Sequence, residues 1–179
     1  MRAVILYESM FGNTRRIAEA IGRGLAPLGD VAVVHVADAD IAHVADADLL
    51  VLGAPTHALG LPRPNTRRSA ADIATKPGSG VILEPQASGA GMREWLPDLR
   101  PGKGAAAVFD TRLGFPMAGR ASRKLRRQLR HHGYALVTPP ESFVVDNRNV
   151  LRPGEEERAV AWGRHLSSVM SVPTGALTW

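Results

Sequence analysis

Cysteine is absent from the 179 residues, which excludes a disulfide framework, a thiolate metal site, an iron–sulfur cluster and a cysteine nucleophile. Any redox chemistry must therefore come from a bound cofactor. No apolar stretch approaches the roughly 20 residues needed to cross a bilayer, so a soluble protein with no membrane partner is expected. The apolar run Ala3 to Tyr7 is interrupted by Glu8 before a signal-peptide core is complete, and the expected location is cytoplasmic. Nucleotide signatures are missing too. There is no Gly-Lys-Ser/Thr of a Walker loop, no Gly-x-Gly-x-x-Gly after the first apolar run, and no Gly-x-Ser-x-Gly elbow of an α/β hydrolase. His35, His43, His131, His132 and His165 fall on separate elements without a carboxylate at ligand spacing, so no metal site is expected.

What is present suits one compact domain: 45% apolar residues, and 22% charged residues of both signs interspersed. The net charge of +5 raises nucleic acid as a partner. It is set aside, because aromatics are few and not interleaved with the basic residues, and no nucleic-acid motif is recognisable. Most of the excess sits in Arg120–His132, read as a surface helix with an apolar stripe at Ala118, Ala121, Leu125 and Leu129. Its functional reading is at best docking to an acidic protein.

Five apolar runs read as strands: residues 2–7, 31–36, 49–53, 105–109 and 134–137, the last extended by Phe143–Val145 beyond Pro139-Pro140. Between them, helices are expected at 14–25, 65–74 (N-cap Asn65 or Thr66), 92–99, 118–131 (stopped by Gly133) and 155–169. The doubled Val-Ala-Asp-Ala-Asp at 36–40 and 44–48 reads as a short helical or turn connection, and 76–91 as an excursion or mobile loop. Alternating strands and helices imply an α/β fold with a single doubly wound, five-stranded parallel sheet. The domain is expected over 1–170, with 171–179 as a C-terminal tail.

Ligands bind such sheets beyond the carboxyl ends of the strands, which selects the loops 8–14, 53–66 and 110–120. The first offers Ser9, Asn13 and Thr14 with the amides of Met10 to Thr14 at a helix N-terminus, and Gly12 permits a positive φ or close approach of a ligand. Either a phosphate sits there, or Asn13 or Ser9 merely caps its own helix. His57 either acts on a ligand through a pKa near neutrality or hydrogen-bonds its loop.

Ser9-Met-Phe-Gly-Asn-Thr14 after the first strand resembles the phosphate-loop fingerprint Thr/Ser-x-x-Gly-x-Thr of the flavodoxin family. Gly53-Ala-Pro-Thr-His57, Arg93-Glu-Trp-Leu96 and Phe109-Asp-Thr-Arg112 resemble, more narrowly, a high-GC bacterial subgroup of that family. The resemblance spans roughly residues 2–170 and implies strand order 2-1-3-4-5 with FMN at the switch point. It places Ser9, Met10, Phe11, Gly12, Asn13 and Thr14 on the phosphate. Pro55, Thr56 and His57 would line the ring from one side; Asp110, Thr111, Arg112 and Gly114 would approach it from the other. Arg112 would stabilise negative charge on the ring, or else form only a surface ion pair. His57 is the one catalytic candidate.

Two departures matter. Shuttle flavodoxins stack the ring between Trp and Tyr, where this chain carries His57 and Leu113 or Phe115, and they are acidic where this chain is basic. A general shuttle for basic reductases is therefore not expected, and FMN is expected to be held less by stacking. The resemblance implies an oxidoreductase passing electrons from a nicotinamide or quinol to a small acceptor such as a quinone. The alternatives are an electron-transfer or interaction module without turnover, or a flavin-free binding domain. An apolar approach at Leu59, Leu61, Leu113 and Phe115 slightly favours a small-molecule substrate over a redox partner protein. The oligomeric state, including a homodimer, is left open.

Overall fold

The computed structural model describes residues 1–115 and 117–172, so most of the expected tail lies outside the described residues. The strands are β1 (Arg2–Tyr7), β2 (Asp30–His35), β3 (Leu49–Pro55), β4 (Ala105–Leu113), β5 (Ala135–Leu136) and β6 (Glu141–Val145). They form one parallel sheet in the order β2-β1-β3-β4-β5, with β6 also on β4. β5 pairs with Ala105–Ala106 and β6 with Phe109–Leu113. Together they fill one strand position, interrupted where Pro139-Pro140 cannot donate to the ladder. The expected five-stranded, doubly wound sheet is what the chain forms.

Period-two alternation sorts the strands into two cores. Val4, Leu6, Leu50, Leu52, Ala106 and Val108 pack beneath α2 (Ile41–Ala45), α4 (Met92–Trp95) and α5 (Ala121–His131). Ala3, Ile5, Leu49, Val51, Ala107 and Phe109 pack beneath α1 (Asn13–Leu25) and α6 (Glu155–Ser171). In α1 the apolar spacing buries Ile17, Ala18, Ile21 and Leu25, as expected. Trp95 and Trp162 both sit in these layers; Trp162 meets Phe109 and Phe143 edge-on with ring centroids 6.4 Å apart.

Several boundaries move. β3 and β4 run past the expected ends at Gly53 and Phe109, because Ala54 and Pro55 pair with Asp110 and Thr111 while β6 holds the far side of β4. α3 (Pro64–Ala74) starts earlier, with Pro64 in the first turn and Arg63, not Asn65 or Thr66, at the N-cap. α5 starts later, at Ala121, after a turn closed by Ala118 N–H donating to Phe115 O. The 76–91 excursion holds no strand but is tied down: Glu84 N–H donates to Met10 O, Arg15 pairs with Glu84, and Ala87 is buried against Met10 and Ala70.

Phe109 is, with Phe143, the largest fully buried side chain and joins β4, β6 and α6. Phe109→Ala is expected to cost about 3–5 kcal/mol in urea unfolding. A loss under about 1 kcal/mol would show that this layer is not closely packed.

Candidate functional site

A cleft of about 450 Å³, its open mouth included, lies beyond the carboxyl ends of β1, β3 and β4. β1 is buried between two parallel neighbours and delivers Glu8–Gly12 rigidly to the start of α1. Gly12 adopts φ +82°, a left-handed turn that a side chain would strain, and it occupies the N-cap of α1. No side chain caps that helix. Asn13 Nδ2 donates instead to Asn149 O (2.6 Å), and the Thr14 hydroxyl pairs with that of Thr111 (2.8 Å). Ser9 is fully buried and its Oγ has no partner among the described residues. The ordinary N-cap reading therefore does not describe this turn. A free first turn beside an unpartnered hydroxyl is an arrangement that takes an anion.

Ser9, Met10, Phe11, Asn13 and Thr14 all line the cleft, and so do Pro55, Thr56, His57, Thr111 and Arg112. Gly12, Asp110 and Gly114 are not in its wall. Asp110 alternates to the opposite face from Thr111, so its carboxylate accepts from Ser122 N–H (2.9 Å) and caps α5. Thr56 helps it, with its hydroxyl accepting from Ala121 N–H (2.9 Å). Gly114 faces Val144 and Arg152. Arg112 has no carboxylate partner among the described residues; one Nη donates to Phe115 O (3.1 Å), and its buried Nε is unpartnered. The ion-pair reading of Arg112 thus has no counterpart in the geometry. Of the four residues expected at the apolar approach, Leu59, Leu113 and Phe115 are exposed, whereas Leu61 is buried in the core.

Three features were not anticipated. Val145 and Asn149 bring a fourth loop into the cleft wall, with Asn149 at φ +60° in a turn held by Asp146 accepting from Arg148 and Val150. The Asp-Asn-Arg-Asn run at 146–149 is the turn signal that could have found it. Ala58 (φ +43°) and Leu59 (φ +72°) form the central pair of a two-residue hairpin closed by reciprocal His57–Gly60 bonds. Asn-Gly is the usual choice there, so Ala-Leu stores strain at the rim of the site. Against the tip lies Gly119, where a Cβ would run into the Leu59 backbone.

Behind the cleft, Arg67 is buried between Glu8 (3.4 Å) and Glu94 (2.9 Å), and Met92 N–H donates to Glu8 (2.9 Å). Burial, with the Arg67 charge adding to it, pushes the His57 pKa down to about 4. This corrects the expectation of a value near neutrality: the buried setting and the Arg67 charge favour the neutral imidazole at pH 7.

An uncapped phosphate-type turn at the switch point of a doubly wound sheet defines a mononucleotide-binding α/β domain. The Flavodoxin family model matches residues 5–111, and the chain belongs to that family. Its cofactor is FMN, the cofactor of the family. No curated protein matches the chain. Among solved structures, it is similar to a flavodoxin from the domain Archaea, at 18% identity and TM-score 0.67 over 96% of this chain and all of that one. Oxidised Flavodoxin 1 from Bacillus cereus gives 18% identity and TM-score 0.66 over 97% and 100% of the two chains. Rubredoxin oxygen:oxidoreductase from Desulfovibrio gigas gives 19% and 0.60, over 96% of this chain but 37% of that one. Among the described residues no helix is long and apolar enough to cross a membrane.

The folded chain protonates His57 only near pH 4, whereas an unfolded histidine does so near 6.5, so stability is expected to fall as pH drops through that window. An NMR titration is expected to leave the His57 ring signals in place from about pH 8 to about pH 5.5. A midpoint near 6.5 would show that the ring is solvated.

Proposed function

We propose that the cleft holds FMN by its phosphate on the first turn of α1 and that the protein is an oxidoreductase built on that site. The free N-terminus of α1 beside the unpartnered Ser9 hydroxyl carries this reading. When bound, the flavin supplies reversible one- and two-electron transfer to a chain that has no cysteine. Ser9 and the amides of the 10–14 turn bind the phosphate, and Gly12 lets the backbone approach it. The Thr14–Thr111 hydroxyl pair locks that turn to β4. Pro55, Thr56 and His57 form one wall at the ring, with His57 offering a neutral ring face and one N–H. Thr111 and Arg112 form the other.

Arg112 leaves an unpaired positive charge in the cleft wall, which favours an electron-rich ligand state. Asp110 and Gly114 support the walls rather than the ring, through their contacts with α5 and β6, and Thr56 does both, lining the cleft while its hydroxyl accepts from Ala121 N–H. Leu59, Leu113 and Phe115 leave an exposed apolar rim at which a small acceptor such as a quinone, or a redox protein, would reach the flavin, with a nicotinamide or quinol as the donor. The motifs at 53–57, 93–96 and 109–112 support membership of the high-GC bacterial subgroup.

Ser9→Ala deletes no hydrogen bond within the protein, so folding stability is expected to be unchanged while FMN affinity falls about tenfold or more. Thr14→Val is expected to weaken FMN as well, and also to destabilise the fold by stranding the Thr111 hydroxyl. Fluorescence-quench titrations with parallel melting curves check both; unaltered FMN affinity in Ser9→Ala would remove the phosphate from this turn.

A close unit-charge pair at an effective dielectric constant of 20 is worth about 4 kcal/mol before desolvation offsets much of it. Arg112→Ala is therefore expected to lower the reduction potential of bound FMN with affinity largely kept, and Arg112→Lys to restore only part. A wild-type potential in the Ala variant would place Arg112 away from the ring.

A further inference from the structure

The hairpin that walls the cleft with His57 has a second side. Ala58, Leu59, Gly60 and Leu61 there form one bank of a groove whose other bank is α5. Six cations line it: Arg63, Arg93, Arg120, Arg123, Lys124 and Arg127. None of them has a carboxylate partner among the described residues, and no acidic residue lines the groove. Elsewhere on the molecule Arg15, Arg16, Arg67 and Arg158 are all paired with glutamates. Other cations, Arg112 among them, also lack a carboxylate partner among the described residues, but here six of them line one groove.

The groove is held in place. Arg93 donates from Nε to Pro62 O (3.0 Å) and from Nη2 to Leu61 O (2.8 Å), fixing α4 to the base of the hairpin while its charge stays in the groove. Thr56 and Asp110 cap the start of α5, and Leu59 pairs with Gly119, so hairpin and helix form one unit. Burial and the neighbouring Arg93, Arg127 and Arg63 push the Lys124 pKa down, which agrees with cations crowded without counter-charge. Arg126 and Arg130 continue the basic surface, which follows α5 for about 15 Å from Arg120 to Arg130. At the end nearest the cleft, Leu59, Phe115 and Met117 are 68%, 50% and 81% exposed.

We propose that this face docks an acidic electron-transfer protein, bringing the partner's redox centre to the flavin cleft across the 57–60 hairpin. The proposal rests on the FMN reading of the cleft. A single phosphate or carboxylate would engage a small part of a 15 Å basic track, whereas an acidic protein face matches its length. Exposed apolar side chains beside a charged surface are also the make-up of a protein interface, with an apolar centre and a polar rim. Complementary charge steers encounter and fixes orientation. The sequence-based preference for a small molecule at this rim rested partly on Leu61, which is buried.

The test uses FMN-loaded protein and, as probe, an acidic [2Fe–2S] ferredoxin, with complex formation followed by calorimetric titration and flavin reduction by stopped flow. Binding and second-order rate are expected to fall at least tenfold between about 0.01 M and about 1 M salt, as the Debye length shrinks from about 30 Å to about 3 Å. R123E combined with R127E is expected to lower both at least tenfold at low salt, with FMN affinity and reduction potential unchanged. Absence of a complex at low salt, or a complex indifferent to the double substitution, overturns the proposal. So does a DNA duplex that displaces the ferredoxin, since the face would then belong to nucleic acid. Loss of FMN binding in the unsubstituted protein would contradict the flavin reading instead, and the calorimetric arm reports docking independently of it.

Discussion

A helix whose first turn is left without a cap is the feature around which this molecule is arranged. Burying β1 on both faces fixes where that turn emerges, and the left-handed Gly12 sets the direction of α1. The polar side chains of the turn itself are engaged elsewhere or held back. Asn13 reaches to Asn149, Thr14 to Thr111, and the Ser9 hydroxyl is buried without a partner. An exposed helix end would be satisfied by water, but one walled in by β4, the 145–149 turn and the 76–91 excursion favours an anionic ligand.

Much of this was legible in the chain because the signals are local. Apolar runs bounded by glycine and proline gave the strand order's raw material, and Ser9-Met-Phe-Gly-Asn-Thr14 marked the phosphate turn directly. The Pro139-Pro140 break placed β5 and β6 in one strand position. What stayed hidden depends on register. Whether Asp110 or Thr111 faces the cleft follows from which face of β4 meets α5, and that is decided by pairing with β3 and β6. Leu61 looked like rim and is core for the same reason: its surroundings come from α4 and α5, far along the chain. Asn149 enters the cleft from a turn whose sequence announced a turn but not a destination.

Electrostatics also depend on assembly. His57 alone predicts a titrating group near neutrality, yet the fold half-buries it and sets Arg67 near it, and both favour the neutral ring. The basic helix alone reads as a solvated face; only the fold sets it against Arg63 and Arg93 and next to the strained hairpin of the cleft. One hairpin thus serves two surfaces, with His57 turned to the ligand and Leu59 to the outside.

The central claim is that the phosphate turn, more than ring stacking, holds the cofactor, and riboflavin tests it because it differs from FMN only by the phosphate. Two charge-assisted bonds at about 1.5 kcal/mol each correspond to about a hundredfold in affinity. Titration of the protein with each flavin, followed by fluorescence quenching, is expected to show FMN binding tighter than riboflavin by at least that factor. Equal affinity for the two would contradict the account and leave the free end of α1 without its ligand.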